Sequence, residues 1–142
     1  LTLNEALEIE GTLDTFCNQW KSHDEEVTAY ANLFFGQFLV FMSDEKRVKV
    51  SGCSTDSSVR FVKELGSVYQ VDFFNRGNLA FFIKDKIELL PITQLQYAFK
   101  NRFINGDTIY FNNLVLTKKE LEEKWIIPVK DSWLAKKLQL TA

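Results

Sequence analysis

The residues best suited to chemistry lie in one short segment, residues 51–60, which is polar and rich in hydroxyl groups. Its candidate ligand-binding residues are Gly52, Ser54, Thr55, Asp56, Ser57, Ser58 and Arg60. Small polar residues of this kind are typical of a turn that leads from a strand into the start of a helix. The first backbone N–H groups of a helix have no partner within it, and together with adjacent hydroxyls they can bind phosphate, sulfate or a carboxylate. The segment therefore predicts a binding module for a small molecule, an anion or a protein.

Cys53 gives the same segment a second interpretation, as the site of a thiol-dependent enzyme. A thiol that points at a helix N-terminus has a lowered pKa, and its thiolate is a nucleophile. His23 is the only histidine of the chain and is the candidate base. The backbone N–H groups of Ser54 and Ser58 would serve as oxyanion donors. This alternative requires Cys53 and His23 to meet in space, which the sequence alone does not decide.

A purely structural interpretation of the segment is a well-capped helix. Asp56 is a good N-cap residue, and Ser54 and Thr55 are its competitors for that position. The negative charge of Asp56 also opposes phosphate binding, unless the carboxylate serves as the cap or as an acid. Helix capping alone therefore explains the composition of the segment.

Sequence motifs for established phosphate, nucleotide and metal chemistry are missing from the chain. Six residues separate Cys53 from Arg60, one more than the loop of tyrosine phosphatases requires. The sequence contains no G-x-x-x-x-G-K-[ST], no G-x-G-x-x-G and no G-x-S-x-G. One histidine and two widely separated cysteines do not match the ligand spacing of a zinc site. We therefore expect no metal and no cofactor.

Charge and hydropathy limit the partners that the sequence predicts. The formal net charge of −2 gives no attraction to nucleic acid, so no nucleic-acid partner is expected. No segment reaches the roughly 20 apolar residues of a membrane span, and none resembles a signal peptide. Two cysteines do not make a disulfide framework, which favours a reducing compartment. We expect a cytoplasmic protein without membrane insertion.

Two predicted elements come before the candidate site. Apolar residues three or four positions apart predict a helix over residues 3–22, and Thr2 and Glu5 have the spacing of a capping box at its start. Residues 33–42 are almost continuously apolar, which predicts a strand buried on both faces with a bend or bulge at Gly36. The candidate site then opens a second helix.

The rest of the chain predicts a mixture of short strands and helices. These are a strand over 69–74, a hairpin of 79–83 and 87–90, a helix over 94–102, a strand over 108–111, a helix that opens with a capping box at 117–120, and a last helix over 129–138 with Trp133 and Leu134 facing inward. This order favours a single α+β domain over residues 1–142, with a mixed or antiparallel central sheet and helices packed on it. Thirteen phenylalanines supply a core and, as a third functional alternative, an apolar surface for a structural or interaction protein that forms a homodimer.

The segment SGCSTDSSVRFVKELG at residues 51–66 resembles a small bacterial family of uncharacterised proteins that often carries the label "ABC transporter ATPase". The resemblance extends over nearly the whole chain, to Phe16, Trp20 and His23, to residues 69–76 and 107–115, and to Trp125, Pro128, Ser132 and Trp133. It implies a one-domain cytoplasmic protein and groups Cys53, Asp56, Ser58 and His23 as residues of interest, but it supplies no activity. Without a phosphate loop and its lysine, ATP hydrolysis by the ABC mechanism is not expected.

Overall fold

The computed structural model describes residues 2–22, 25–26, 28–44 and 52–139. The chain divides into two compact units, Leu1–Phe74 and Asn75–Ala142, which are called here the N-terminal unit and the C-terminal unit. Each unit combines helices with strands, and the pairings between the described strands are all antiparallel. The predicted α+β class is confirmed. The expectation of one domain over residues 1–142 stays a prediction.

Two helices and two hairpins make up the described part of the N-terminal unit. The elements are α1 (Leu3–Gln19), β1 (Lys21–Ser22), β2 (Glu25–Glu26), β3 (Thr28–Phe34), β4 (Phe38–Asp44) and α2 (Gly52–Tyr69). The predicted capping box opens α1: Glu5 N–H donates to Thr2 Oγ1 at 3.1 Å, and Thr2 N–H donates to Glu5 Oε1 at 2.9 Å. The hydrogen bond from the Thr2 backbone N–H to the carboxyl, and after it an interaction of that carboxyl with the Thr2 hydroxyl, lower the pKa of the Glu5 carboxyl.

The apolar run over residues 33–42 is a hairpin and not one buried strand, so that prediction was wrong. β3 pairs with β4 from Thr28 opposite Asp44 to Phe34 opposite Phe38. The chain reverses at Phe35 and Gly36, whose φ angles are 55° and 68°, and the predicted bend at Gly36 is therefore a complete turn. The residues next to the turn, 33–34 and 38–42, are all apolar, and this hid the alternation of apolar and polar residues that marks a surface hairpin.

The core of the N-terminal unit lies between α1, the β3–β4 hairpin and α2. It consists of the buried residues Ile9, Leu13, Ala31, Leu33 and Leu65, with partly buried aromatic residues around them. Phe16 of α1 stacks on Phe61 of α2 with their ring centroids 4.3 Å apart. This core fixes the position of α2, the helix that carries the candidate site.

The C-terminal unit is built on a four-stranded sheet with the order β6-β5-β7-β8. Its elements are β5 (Asn78–Ile83), β6 (Lys86–Pro91), α3 (Leu95–Lys100), β7 (Ile109–Phe111), α4 (Lys118–Lys124), β8 (Ile126–Pro128) and α5 (Leu134–Lys137), with short 3₁₀ turns at Ile92–Gln94 and Val129–Asp131. The predicted hairpin is present, and Lys84 and Asp85 close it with φ angles of 51° and 64°, as a type I′ turn requires. β8 was not predicted, and the predicted helix over 129–138 is a 3₁₀ turn followed by the four residues of α5.

The two faces of this sheet differ in exposure. One face packs on α3 and α5 through a core that contains Leu79, Phe81, Leu95, Ile104, Tyr110, Val129 and Leu134. Trp133 is 38% exposed rather than inward-facing as predicted, because its indole N–H donates to the hydroxyl of Tyr110 at 3.1 Å from the rim of that core. The other face carries apolar residues that remain about half exposed, among them Phe82 and Leu89.

Candidate functional site

The segment of the candidate site forms the first turns of α2 and not a loop in front of it. α2 begins at Gly52, four residues before Asp56, so Asp56 lies within the helix and is exposed. The prediction that Asp56 caps this helix was therefore wrong, as was the competing prediction for Ser54 and Thr55. The reason is that Ser, Thr and Asp fit a cap and an exposed first turn equally well, so composition does not fix the first helical residue.

The side chains of the candidate site are only partly described. Asp56 and Arg60 are exposed, and Ser57 and Ser58 are half-buried. His23 and the side chains of Cys53, Ser54 and Thr55 lie outside the described residues. The pairing of Cys53 with His23, and with it the thiol-enzyme alternative, stays a prediction.

Arg60 is the member of the predicted ligand set that lies farthest from the start of α2. It comes eight positions after Gly52, which is about 12 Å along a helix axis that rises about 1.5 Å per residue. The residue is exposed. Its part in the site stays a prediction.

The start of α2 differs from the starts of α1 and α4 in charge. Glu5 lies in the first turn of α1 and accepts a hydrogen bond from the backbone at Thr2. In α4, Thr117 Oγ1 accepts from Glu120 N–H at 3.1 Å, and the Glu120 carboxylate accepts from Leu116 N–H at 2.8 Å. The sequence of the first turn of α2 contains no acidic residue. The first turn of α2 therefore does not itself supply the carboxylate that compensates the helix dipole in α1 and α4, and the first turns of the short helices α3 and α5 supply none either.

A shallow, open groove of about 560 Å³ lies along the other end of α2. It is lined by Val62, Lys63, Gly66, Ser67, Gln70, Val71, Asp72, Phe73 and Phe74, so residues 52–60 take no part in it. The sequence prediction of a strand over 69–74 was wrong here, because Tyr69 ends α2 and Gln70 turns the chain with a φ of 56°. Since the groove depends on how residues 71–74 return along the helix, the sequence reasoning missed it.

Cys17 is the cysteine whose side chain is described, and it is half-buried in α1. Burial raises the pKa of its thiol, and the nearby charge of Asp14 raises it further. Cys17 is therefore held in the protonated thiol form. It is not a candidate nucleophile.

Within the described part of the chain, no group of three or more His, Cys, Asp or Glu residues could hold a metal ion. None of the helices described is both long enough and apolar enough to cross a membrane. Searches against protein-family models, curated proteins and solved structures gave no match to this chain. The resemblance to the bacterial family therefore stays a prediction.

Proposed function

We propose that this protein is a binding module that takes a small anion, or an acidic group of a protein, at the start of α2. The observation that supports the proposal is the first turn of that helix, residues 52–55, whose sequence contains no acidic residue and which is followed by the half-buried residues Ser57 and Ser58. Backbone N–H groups at a helix start point outward along the axis, where the positive end of the dipole favours an anion. Phosphate, sulfate and carboxylate groups all fit this chemistry.

Nuclear magnetic resonance titration tests the proposal residue by residue. Phosphate, sulfate and acetate are added to ¹⁵N-labelled protein, and we expect the amide resonances of residues 52–55 to shift with saturation. The start of α1 is an internal control, because Glu5 already compensates it. The absence of saturable shifts in residues 52–55 with all three anions would contradict the proposal.

A matched pair of variants sharpens the test. Ser54→Glu places a carboxylate in the first turn of α2, as Glu5 does in α1, and is expected to abolish the shifts. Ser67→Glu makes the same change at an exposed position in the last turns of the same helix and is expected to leave them intact. If the amide resonances of both variants shift equally when the anions are added, the anions bind somewhere other than the start of α2.

A second candidate function is that of an interaction protein that forms a homodimer, and the exposed face of the four-stranded sheet favours it. Phe82, Leu89 and Ile126 are 43%, 58% and 48% exposed. The strand register places all three side chains on the same face of the sheet, since residues two apart in a strand share a face. Phe82 lies opposite Ile87, and Leu89 is two residues further along that strand. Phe82 also lies opposite Ile109, Phe111 is two residues after Ile109, and Ile126 lies opposite Phe111. Exposed apolar residues grouped in this way mark interaction surfaces.

Light scattering coupled to gel filtration tests this second candidate. A dimer is expected for the unaltered chain and a monomer for Phe82→Lys. Leu116→Lys is the control, because Leu116 is 90% exposed and lies outside the sheet. A monomeric unaltered chain would exclude the homodimer.

A further inference from the structure

The end of α3 brings two aromatic rings together on the surface of the C-terminal unit. Arg102 adopts a φ of 62° directly after the helix, and Phe103 N–H donates back to the Ala98 carbonyl at 2.9 Å. This hydrogen bond is that of a Schellman motif, which reverses the chain at a helix end. As a result the Phe103 ring lies beside Tyr97, with 6.5 Å between the centroids and 25° between the ring planes.

Both rings face solvent instead of the core. Tyr97 and Phe103 are each 65% exposed, whereas Leu95 and Ala98 on the inner side of the same helix are buried. Exposing two large rings forgoes the burial that would stabilise the fold by roughly 25 cal/mol per Å² of apolar surface. The pair, called here the Tyr97–Phe103 surface, is therefore built from residues that contribute little to the core of the unit.

The residues around the Tyr97–Phe103 surface are basic. Lys100 and Arg102 lie between the two rings in sequence and are both exposed. The sequence contains no acidic residue from 89 to 106. Gln96 Nε2 donates to the Lys137 carbonyl at 3.0 Å, which brings the basic end of α5 beside α3.

The acidic residue that follows this stretch, Asp107, forms an ion pair with Lys130. Asp107 Oδ1 lies 2.9 Å from Lys130 Nζ, and this contact, first as a hydrogen bond and then as a charge pair, raises the pKa of Lys130. The negative charge of Asp107 is therefore directed at Lys130.

The charges of the chain are divided between the two units. Residues 1–74 carry twelve acidic and six basic side chains, a net charge of −6, whereas residues 75–142 carry seven acidic and eleven basic side chains, a net charge of +4. The net charge of the whole chain, −2, on which the expectation of no nucleic-acid partner was based, conceals this division. The aromatic pair lies on the positive unit.

We propose that the Tyr97–Phe103 surface binds single-stranded nucleic acid, with bases stacked on the two rings and phosphates near Lys100 and Arg102. Stacking platforms combined with basic side chains are the usual means of binding single strands without sequence preference. An acidic peptide would satisfy the charges but would leave the paired ring faces unused. The surface lies outside α2 and is independent of the anion site proposed above.

Fluorescence anisotropy with a labelled single-stranded oligothymidine tests the proposal at low salt. We expect saturable binding that weakens as salt is added, because phosphate contacts release counterions. Tyr97→Ala and Phe103→Ala are each expected to weaken binding at least fivefold, in line with the loss of one stacked base. Lys100→Gln and Arg102→Gln are expected to weaken binding and to reduce its dependence on salt.

Matched controls separate this surface from general effects. Phe35→Ala removes an exposed ring from the β3–β4 turn of the N-terminal unit, and Lys84→Gln removes an exposed charge in the β5–β6 turn; neither is expected to change the affinity. Thermal unfolding of each variant establishes that it is folded. Three results would overturn the proposal: no binding of the single strand at low salt, equal affinity of the Tyr97→Ala and unaltered proteins, or equally effective competition by polyglutamate, which would indicate a surface for acidic polymers.

Discussion

The carbonyl oxygen of Val71 occupies the space that a side chain on Gly66 would need: a Cβ atom built on Gly66 would lie 2.5 Å from it. Val71 N–H also donates to the Gly66 carbonyl at 2.9 Å, which closes the end of α2. The close approach of the two backbones therefore depends on glycine in the helix. It also sets the path of residues 71–74 beside the groove.

Gly66→Ala is expected to destabilise the protein by about 1–2 kcal/mol, because a backbone oxygen cannot move aside as a flexible side chain can. The intrinsic helix preference of alanine, about 1 kcal/mol, acts in the opposite direction and is outweighed. Urea unfolding measures the difference. Gly11→Ala is the matched control: no atom lies within 4 Å of its Cβ position in α1, so it should gain about 0.5–1 kcal/mol. Similar stability changes in the two variants would contradict the close approach at Gly66.

Gln70→Gly is expected to stabilise the protein by about 0.5–1 kcal/mol. Gln70 has a φ of 56°, and left-handed backbone of this kind costs an L-residue with a side chain roughly 1–2 kcal/mol, which glycine avoids in part. Ser67→Gly, at an exposed position inside the same helix, should lose about 0.5–1 kcal/mol. Unfolding midpoints that shift in the same direction for both variants would refute the assignment of Gln70 to the helix-ending position.

The stability of the fold is expected to fall at alkaline pH because of Tyr110. Burial raises the pKa of its hydroxyl, and the hydrogen bond from Trp133 opposes this in part. A group with a raised pKa in the folded state stabilises the fold fully below its unfolded pKa, here about 10, and loses that contribution as the pH rises through the folded value. The free energy of unfolding should therefore decrease as the pH is raised from below 10 to above 10. The decrease should be smaller in Tyr110→Phe, which has no hydroxyl to ionise.

Trp133→Phe provides a further check on the same pair. Loss of the indole N–H removes the hydrogen bond that lowers the pKa of Tyr110. The tyrosinate absorbance of this variant is expected to develop at higher pH than in the unaltered protein. An unchanged titration would show that Trp133 has no influence on Tyr110.

The thiol-enzyme alternative is tested by alkylation. With iodoacetamide near neutral pH, Cys53→Ser is expected to react slowly, because burial and the charge of Asp14 raise the pKa of the remaining Cys17 thiol. Cys17→Ser, which leaves Cys53 at the start of α2, is expected to react faster. If it does, His23→Ala in the same background shows whether the histidine assists the thiol. An inert Cys17→Ser protein would remove Cys53 as a nucleophile.

Local patterns predicted more of this fold than tertiary ones did. The capping box at Thr2 and Glu5 and the β5–β6 hairpin follow from residue types within a few positions of one another. The β3–β4 hairpin was missed because its turn, Phe35 to Gln37, contains a single glycine and none of the Asn, Asp, Ser or Pro residues that usually accompany it at a reversal.

The candidate sites depended even more on tertiary structure. Hydroxyl-rich sequence located the start of α2 only to within one turn. The Tyr97–Phe103 pair could not be predicted, since it requires a left-handed Arg102 where glycine is usual. The opposite net charges of the two units follow from the sequence alone, but they become visible only when the boundary between the units, at residues 74 and 75, is known from the structure.

Both prolines of the chain lie on the outer strands of the four-stranded sheet, Pro91 in β6 and Pro128 in β8. Ile92 N–H donates to Gly77, and Val129 N–H donates to Thr108, so the nitrogen of each preceding proline points away from the neighbouring strand. An incoming strand would need an amide donor at these positions, and proline has none. The sheet thus limits its own growth at both margins, which protects an apolar and strand-rich unit against aggregation through strand addition.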